Sequence, residues 1–152
     1  MTHIIDGIRA ARENAGLTQA ELAALAGVTQ PKLSAYERGV VEPRPETRER
    51  IFRAARPRPS VVLQARADEV LAVAQRHHIS RVRVFGSSVF GTDTPDSDID
   101  LLVTFDDRAS LYDLTGFAAE AEKLLGYPVD VVSDAVPMNR IMERIVSESV
   151  PL

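Results

Sequence analysis

Gly86-Ser87 is followed, ten residues on, by Asp98-Ile99-Asp100. A glycine lets backbone N–H groups approach an anion, and a serine hydroxyl adds a donor, so this turn suits a triphosphate. The acids suit its counterion. In an extended strand alternate residues share a face, which sets Asp98 and Asp100 on one side, roughly 6.6 Å apart along the chain. Two carboxylates that close at neutral pH call for a cation between them. Magnesium is the natural candidate, because it takes oxygen ligands and is usually held by one or two carboxylates together with substrate phosphates. Paired ions about 3.5–4 Å apart would clamp the attacking and leaving oxygens of an in-line displacement.

The flanking residues predict the elements that must carry this chemistry. Arg81-Val82-Arg83-Val84-Phe85 is short and rich in β-branched residues, and Gly86-Ser87-Ser88 follows it as a loop without bulk. Ser97 to Phe105 reads as a buried strand with acids at its mouth. A third acid is expected from a neighbouring strand, and Asp130 lies inside the apolar run Val129-Asp130-Val131-Val132 after Gly126-Tyr127-Pro128. Taken alone, Asp130 reads as a strand-end residue at a turn, and the acids from Asp93 to Asp98 read as a solvated loop.

With these residues in view, positions 81 to 132 resemble the minimal nucleotidyltransferases of the DNA polymerase beta superfamily. The resemblance implies that Gly86 and Ser87 bind a nucleoside triphosphate and that Asp98, Asp100 and Asp130 ligate the metals. There is one departure: family members often carry an arginine between the Gly-Ser pair and the next glycine, whereas Ser88-Val89-Phe90-Gly91 has none. Without that guanidinium, less positive charge faces the triphosphate.

Charge divides the chain. Residues 1–60 hold ten Arg or Lys against seven Asp or Glu, a net +3, and residues 61–152 hold eight against fifteen, a net −7. One half favours anionic partners and the other favours cations. Ala55-Arg56-Pro57-Arg58-Pro59-Ser60 marks the seam, so the expected organisation is a helical domain over 1–55, a Pro/Arg linker over 56–60 and an α/β domain with a small mixed sheet over 61–152. Ser60 is expected to cap one helix that runs on to His77 and His78. Cysteine is absent, which excludes disulfides and thiolate metal sites. The N-terminus lacks an export signal and no apolar run approaches a membrane span, so a cytoplasmic protein with no membrane partner is expected.

In the first domain Ile4, Ile5, Ile8 and Ala11 recur at helical spacing, and Thr18-Gln19-Ala20-Glu21 is a capping box that starts a second helix with Leu22 and Leu25 facing inward. Gly27 breaks that helix. Thr29 is placed to cap a third, with Pro31 in its first turn and Leu33 and Tyr36 on its apolar side. A fourth is expected from Pro45 or Glu46 to Ala55. Two short helices joined around a glycine make a helix-turn-helix, and residues 16–39 resemble the phage repressor and Cro-like regulators. The resemblance implies that the third helix enters the major groove, with Gln30, Lys32 and Ser34 near bases or phosphates and Gln19 and Arg38 on the backbone. Arg48, Arg50, Arg53, Arg56 and Arg58 either extend that surface or are solvated.

Other motifs read as framework. His77 and His78 suit a helix C-terminus. Leu111, Leu114, Phe117, Ala118, Ala121, Leu124 and Leu125 form the stripe of a helix packed on the sheet. A last helix is expected from Asn139 to Val146, with Ile141, Ile145 and Val146 as candidate core, and the apolar end Val150-Pro151-Leu152 suits either the core or a partner.

The family resemblance implies a setting as well as a chemistry. Minimal nucleotidyltransferases commonly act as antitoxins that transfer AMP from ATP to a tyrosine of a HEPN ribonuclease toxin, and a fused helix-turn-helix suits an antitoxin that represses its own operon. The alternative is a transcriptional regulator whose nucleotidyltransferase domain binds nucleotide or a partner without turnover; a homodimer stays open in either case.

Overall fold

A computed structural model describes residues 3–152, with side chains described from Gly7 onward. Contacts divide the chain into two units, one ending at Pro57 and the other running from Arg58 to Leu152.

The first unit holds α1 (His3–Asn14), α2 (Gln19–Ala26), α3 (Gln30–Glu37) and α4 (Pro45–Ala54). The capping box at α2 is formed: the Thr18 hydroxyl accepts from the Glu21 N–H, and the Glu21 carboxylate accepts from the Thr18 N–H at 2.7 Å. Gly27 then turns the chain at φ 66°, a left-handed conformation that costs a glycine nothing, and Thr29 begins α3 two residues later. Thr29 makes no side-chain cap bond, in contrast to expectation; Pro31, lacking an N–H, leaves one donor fewer to satisfy in that turn. The core joins Ile8, Leu22, Ala23, Ala26, Leu33, Ile51, Ala54 and Ala55. Leu25 is 48% exposed rather than inward, because the turn of α2 gives its buried positions to Leu22, Ala23 and Ala26. The side chains of Ile4 and Ile5 lie outside the described residues.

The second unit is an α/β layer structure. Its elements are α5 (Pro59–Ala65), α6 (Ala67–Arg76), β1 (Ile79–Phe85), α7 (Ser87–Phe90), β2 (Ile99–Phe105), α8 (Leu111–Leu125), β3 (Val129–Ser133), α9 (Arg140–Glu148) and β4 (Val150–Pro151). The sheet order is β3-β2-β1-β4. β2 and β3 are parallel and joined through α8, while β1 is antiparallel to both β2 and β4. The sheet is therefore mixed, as the fold reading required.

Alternation along the strands sorts the two faces. Val82 and Val84 of β1, Ile99, Leu101 and Val103 of β2, and Val129 of β3 are buried with Val70, Val73 and Ala74 of α6 and Phe117, Ala121 and Leu125 of α8. Burying a side chain of this size stabilises by about 1.5–3 kcal/mol, so this cluster holds the strands in register. The residues between them, Arg83, Phe85, Asp100, Leu102, Thr104 and Asp130, are left for the opposite face.

Several expectations are corrected. The helix awaited from Ser60 to the histidines is two helices, broken at Arg66 (φ −114°, ψ 19°), and Arg58 rather than Ser60 occupies the cap of α5. Pro59 and Ser60 thus belong to its first turn. Leu111 is 80% exposed and Ile141 70%, outside the stripes assigned to them. Ser110, not read as a cap from sequence, forms a capping box with Asp113. The terminal Val-Pro-Leu completes its own fold: Val150 and Pro151 pair with Val84 and Arg83, and the Leu152 N–H donates to the Val82 carbonyl at 3.1 Å. His77 caps α6 and is held by α8, its Nε2 lying 2.9 Å from Glu120 Oε1.

Candidate active site

Strand register assembles the site. Phe85 lies opposite Asp100, and Asp100 lies opposite Asp130, so the end of β1, the head of β2 and the head of β3 form one row. Gly86 continues directly from that row, and Asp98 stands one residue before β2 begins at Ile99. β2 is held to the Pro128 carbonyl by the Ile99 N–H at 2.9 Å, which sets the mouths of β2 and β3 level. Five residues scattered over 45 positions of sequence, Gly86, Ser87, Asp98, Asp100 and Asp130, are thereby gathered at one end of the sheet.

Gly86 is the tightest joint. Its backbone lies at φ 73°, ψ −152°, a region that L side chains rarely enter, and a Cβ there would stand 3.1 Å from Asp100 Cγ and closer still to Oδ2. Only a glycine lets the turn press on the carboxylate. From there Ser87 opens the single turn α7, closed by the Val89 N–H to the Gly86 carbonyl at 3.1 Å, so the first N–H groups of the turn have no partner within the helix.

Asp100 is half-buried while Asp98 and Asp130 are exposed. Burial raises the Asp100 pKa above the ordinary carboxylate range, and the charges of Asp130 and then Asp98 raise it further. Both neighbouring charges that raise it are thus of its own sign. An all-oxygen donor set with that electrostatic deficit fits a hard divalent cation such as magnesium. Among the described residues no three His, Asp or Glu side chains stand close enough to hold one ion.

Behind this row, on the same face, Arg83 lies opposite Leu102 and donates from an Nη nitrogen to Asp134 Oδ2 at 2.9 Å. Thr104 donates to the same oxygen. Neither Arg83 nor Asp134 was singled out from sequence. The buried Nε of Arg83 and the buried Oγ of Ser88 have no hydrogen-bond partner among the described residues; each such group costs about 1–3 kcal/mol.

In the first unit, the five residues singled out for DNA fall into different environments. Gln19 at the start of α2 donates to Glu37 at 2.8 Å and accepts from Gln30 at 3.2 Å. Glu37 is buried and receives the Arg12 guanidinium at 2.6 Å, so a chain of bonds runs from Arg12 through Glu37 and Gln19 to Gln30. Arg12 and Glu37 were not read from sequence, because a charged pair 25 positions apart carries no local pattern. Gln30 and Lys32 are exposed on α3, and the 100° step per residue sets them on opposite flanks of that helix. Ser34 is half-buried, and Arg38, which ends α3, donates back to the Ser34 carbonyl.

Comparison with known proteins agrees with both units. Residues 69–150 match the family model of the nucleotidyltransferase domain, and residues 8–55 match that of a helix-turn-helix. The chain belongs to the nucleotidyltransferase-domain family and carries a helix-turn-helix ahead of that domain. Within the family it is similar to a candidate protein adenylyltransferase of Methanocaldococcus jannaschii, 33% identical over 82 residues, which are 54% of this chain and 88% of that protein. It is similar also to the protein adenylyltransferase MntA of Thermococcus cleftensis, 34% identical over 76 residues, 50% of this chain and 77% of that one. A solved structure of a candidate minimal nucleotidyltransferase superposes with a TM-score of 0.56 at 41% identity, covering 61% of this chain and 95% of that one. Among the described residues no helix is long and apolar enough to cross a membrane.

Proposed function

We propose that this chain is a metal-dependent nucleotidyltransferase of the antitoxin type. It transfers a nucleoside monophosphate, AMP from ATP, to a hydroxyl of a partner protein, and binds operator DNA through its first unit. The observation that carries this reading is the row Gly86, Asp100 and Asp130 with Asp98 beside it: a glycine turn for phosphate pressed against Asp100, with Asp130 and Asp98 near enough to repel it. Support for a protein acceptor comes from the adenylyltransferase names of the two archaeal relatives. The HEPN ribonuclease toxin as acceptor rests on the family resemblance.

In this mechanism Asp98 and Asp100 would hold the magnesium ions, with Asp130 as a further ligand. The ions, when bound, neutralise triphosphate charge and lower the pKa of the acceptor hydroxyl. Gly86 and Ser87 present backbone and hydroxyl donors to the phosphates and orient the α-phosphorus. The acceptor oxygen bonds to that phosphorus, the bond to the bridging oxygen of pyrophosphate breaks, and the proton passes to solvent. Positioning and charge neutralisation carry such a transfer.

A second reading, nucleotide binding without turnover, is favoured by one feature: residues 88–90 lack arginine, and the nearby Arg83 is engaged with Asp134. One experiment separates the two. The chain is co-expressed with its neighbour-encoded protein and that protein weighed by mass spectrometry, with Asp98→Asn as control, and ATP binding and pyrophosphate release are measured in parallel. A gain of AMP mass that Asp98→Asn abolishes supports transfer; ATP binding with neither pyrophosphate nor adduct supports the second reading.

A further inference from the structure

The loop that brings Asp98 to the head of β2 is anchored from outside the sheet. Asp93 lies in that loop, and its side chain is fully buried. Its Oδ2 accepts from the Ser60 N–H at 2.8 Å and its Oδ1 from the Ser60 hydroxyl at 3.0 Å. Arg58 adds a guanidinium 4.0 Å from Oδ1 and donates to the Gly91 carbonyl at 3.4 Å. Arg58 sits at the cap of α5 but makes no side-chain cap bond there. Asp93 therefore caps α5 from 33 residues away. A buried carboxylate is costly unless it is bonded, and a helix N-terminus favours a negative charge, so both needs are met by one contact.

The rest of the loop is held in steps. The Thr92 N–H donates to the Ser87 carbonyl at 3.2 Å, so the loop leaves the phosphate turn along a set path. Beyond Asp93, the Ser97 N–H donates to the Thr94 carbonyl at 2.9 Å and the Thr94 N–H to the Ser97 hydroxyl at 2.9 Å. Ile99 then enters β2. The anchor at Asp93 stands between these fixings, and Asp98, exposed, is what the loop presents.

We infer that Asp93 is a positioning residue that keeps Asp98 beside Asp100 before any cation arrives. The inference rests on the reading of Asp98, Asp100 and Asp130 as cation ligands. Asp98 and Asp130 both repel Asp100, so a loop free to relax would carry Asp98 away, and each binding event would then have to order it again. Ordering a segment on binding weakens affinity, and an anchor that orders it in advance removes that cost. Outer residues that orient ligands commonly contribute 10–100-fold in metal affinity.

The test uses the full chain and Mn2+ alone as probe, titrated by calorimetry, with unfolding midpoints taken in EDTA. Asp93→Ala is expected to weaken Mn2+ binding about tenfold or more, Ser60→Ala by less, and Asp93→Asn, which keeps an acceptor oxygen, to recover most of the affinity. Leu71→Ala, a core change in α6, serves as a variant of lowered stability with the loop anchor intact, and is expected to leave Mn2+ affinity unchanged. Should Asp93→Ala fail to fold, Ser60→Ala gives the reading. Affinity in folded Asp93→Ala and Ser60→Ala equal to that of the wild type or of Leu71→Ala overturns the role of Asp93 and leaves the cation reading standing. Absence of Mn2+ binding by the wild type overturns both.

Discussion

Gly86 and Asp100 touch across the first two strands: the turn that ends β1 passes so close to the Asp100 carboxylate that a β-carbon at residue 86 would lie 3.1 Å from Cγ. The Gly86 turn and the Asp100 carboxylate are therefore one mechanical unit, and a change in either is felt by the other.

Gly86→Ala should disturb both stability and chemistry. The added methyl meets Asp100, and the backbone at φ 73°, ψ −152° has to strain or shift. Strain of this kind costs about 1–3 kcal/mol. Urea unfolding should show that loss, with AMP transfer falling at least tenfold; an unchanged transfer rate would remove Gly86 from the nucleotide site.

The Asp100 carboxyl carries a sign that can be tested without substrate. Its pKa lies above its ordinary value because of burial and then of Asp130 and Asp98. A carboxyl raised in the folded state contributes its stability below the unfolded value of about 4, and loses it as pH rises through the folded value. In EDTA, Asp100→Asn should accordingly gain on the wild type in unfolding midpoint as pH rises from about 4 to 8. Magnesium should close that gap by stabilising the wild type alone. An Asn variant with no advantage at neutral pH would contradict the crowding of like charges.

Acid should act in the opposite sense on the helical unit. Burial raises the Glu37 pKa, but the hydrogen bonds from Arg12 and Gln19 outweigh it and hold the carboxyl below the usual range. Such a group stabilises above its unfolded value, about 4.3, and the contribution is lost as pH falls through the lower folded value. Arg12→Ala leaves the buried Glu37 without its cation and should cost about 3 kcal/mol. Circular dichroism during urea titration measures it; a cost below about 1 kcal/mol would mean that water replaces the guanidinium.

DNA binding, read from the helix-turn-helix, should separate Gln30 from Lys32. Affinity should fall with salt, and Lys32→Ala should weaken binding evenly across sequences and reduce the salt slope by about 1. Gln30→Ala should instead change sequence preference, since its amide is the group held toward α2 by Gln19. Fluorescence anisotropy on the operon's own upstream DNA at several salt concentrations distinguishes these outcomes, and equal salt slopes for wild type and Lys32→Ala would place that lysine off the phosphates.

The readable part of this protein was local. Thr18 with Glu21, Gly27, and Pro31 after Thr29 announce short helices because caps and breakers act within a few residues, and the β-branched run into Gly86-Ser87 announces a strand and turn for the same reason. Errors arose where packing overrode a local signal. Leu25 and Leu111 look like core residues by spacing, yet small side chains such as Ala26 took the buried positions of α2, and Leu111 begins its helix beyond the sheet's cover. Ser60 has the right type for a cap but serves as a donor to Asp93 instead.

By itself the sequence determined the local parts: a glycine-serine turn, paired acids at alternating strand positions, and a helix-turn-helix ahead of them, all set by residue type and short spacing. The tertiary structure decided which acids meet and what holds them. Asp130 joins Asp100 only through the parallel register of β2 and β3, and Asp93 leaves the acidic loop for the start of α5. Both outcomes depend on strand pairing and burial between residues some thirty positions apart, where no local pattern in the chain can record them.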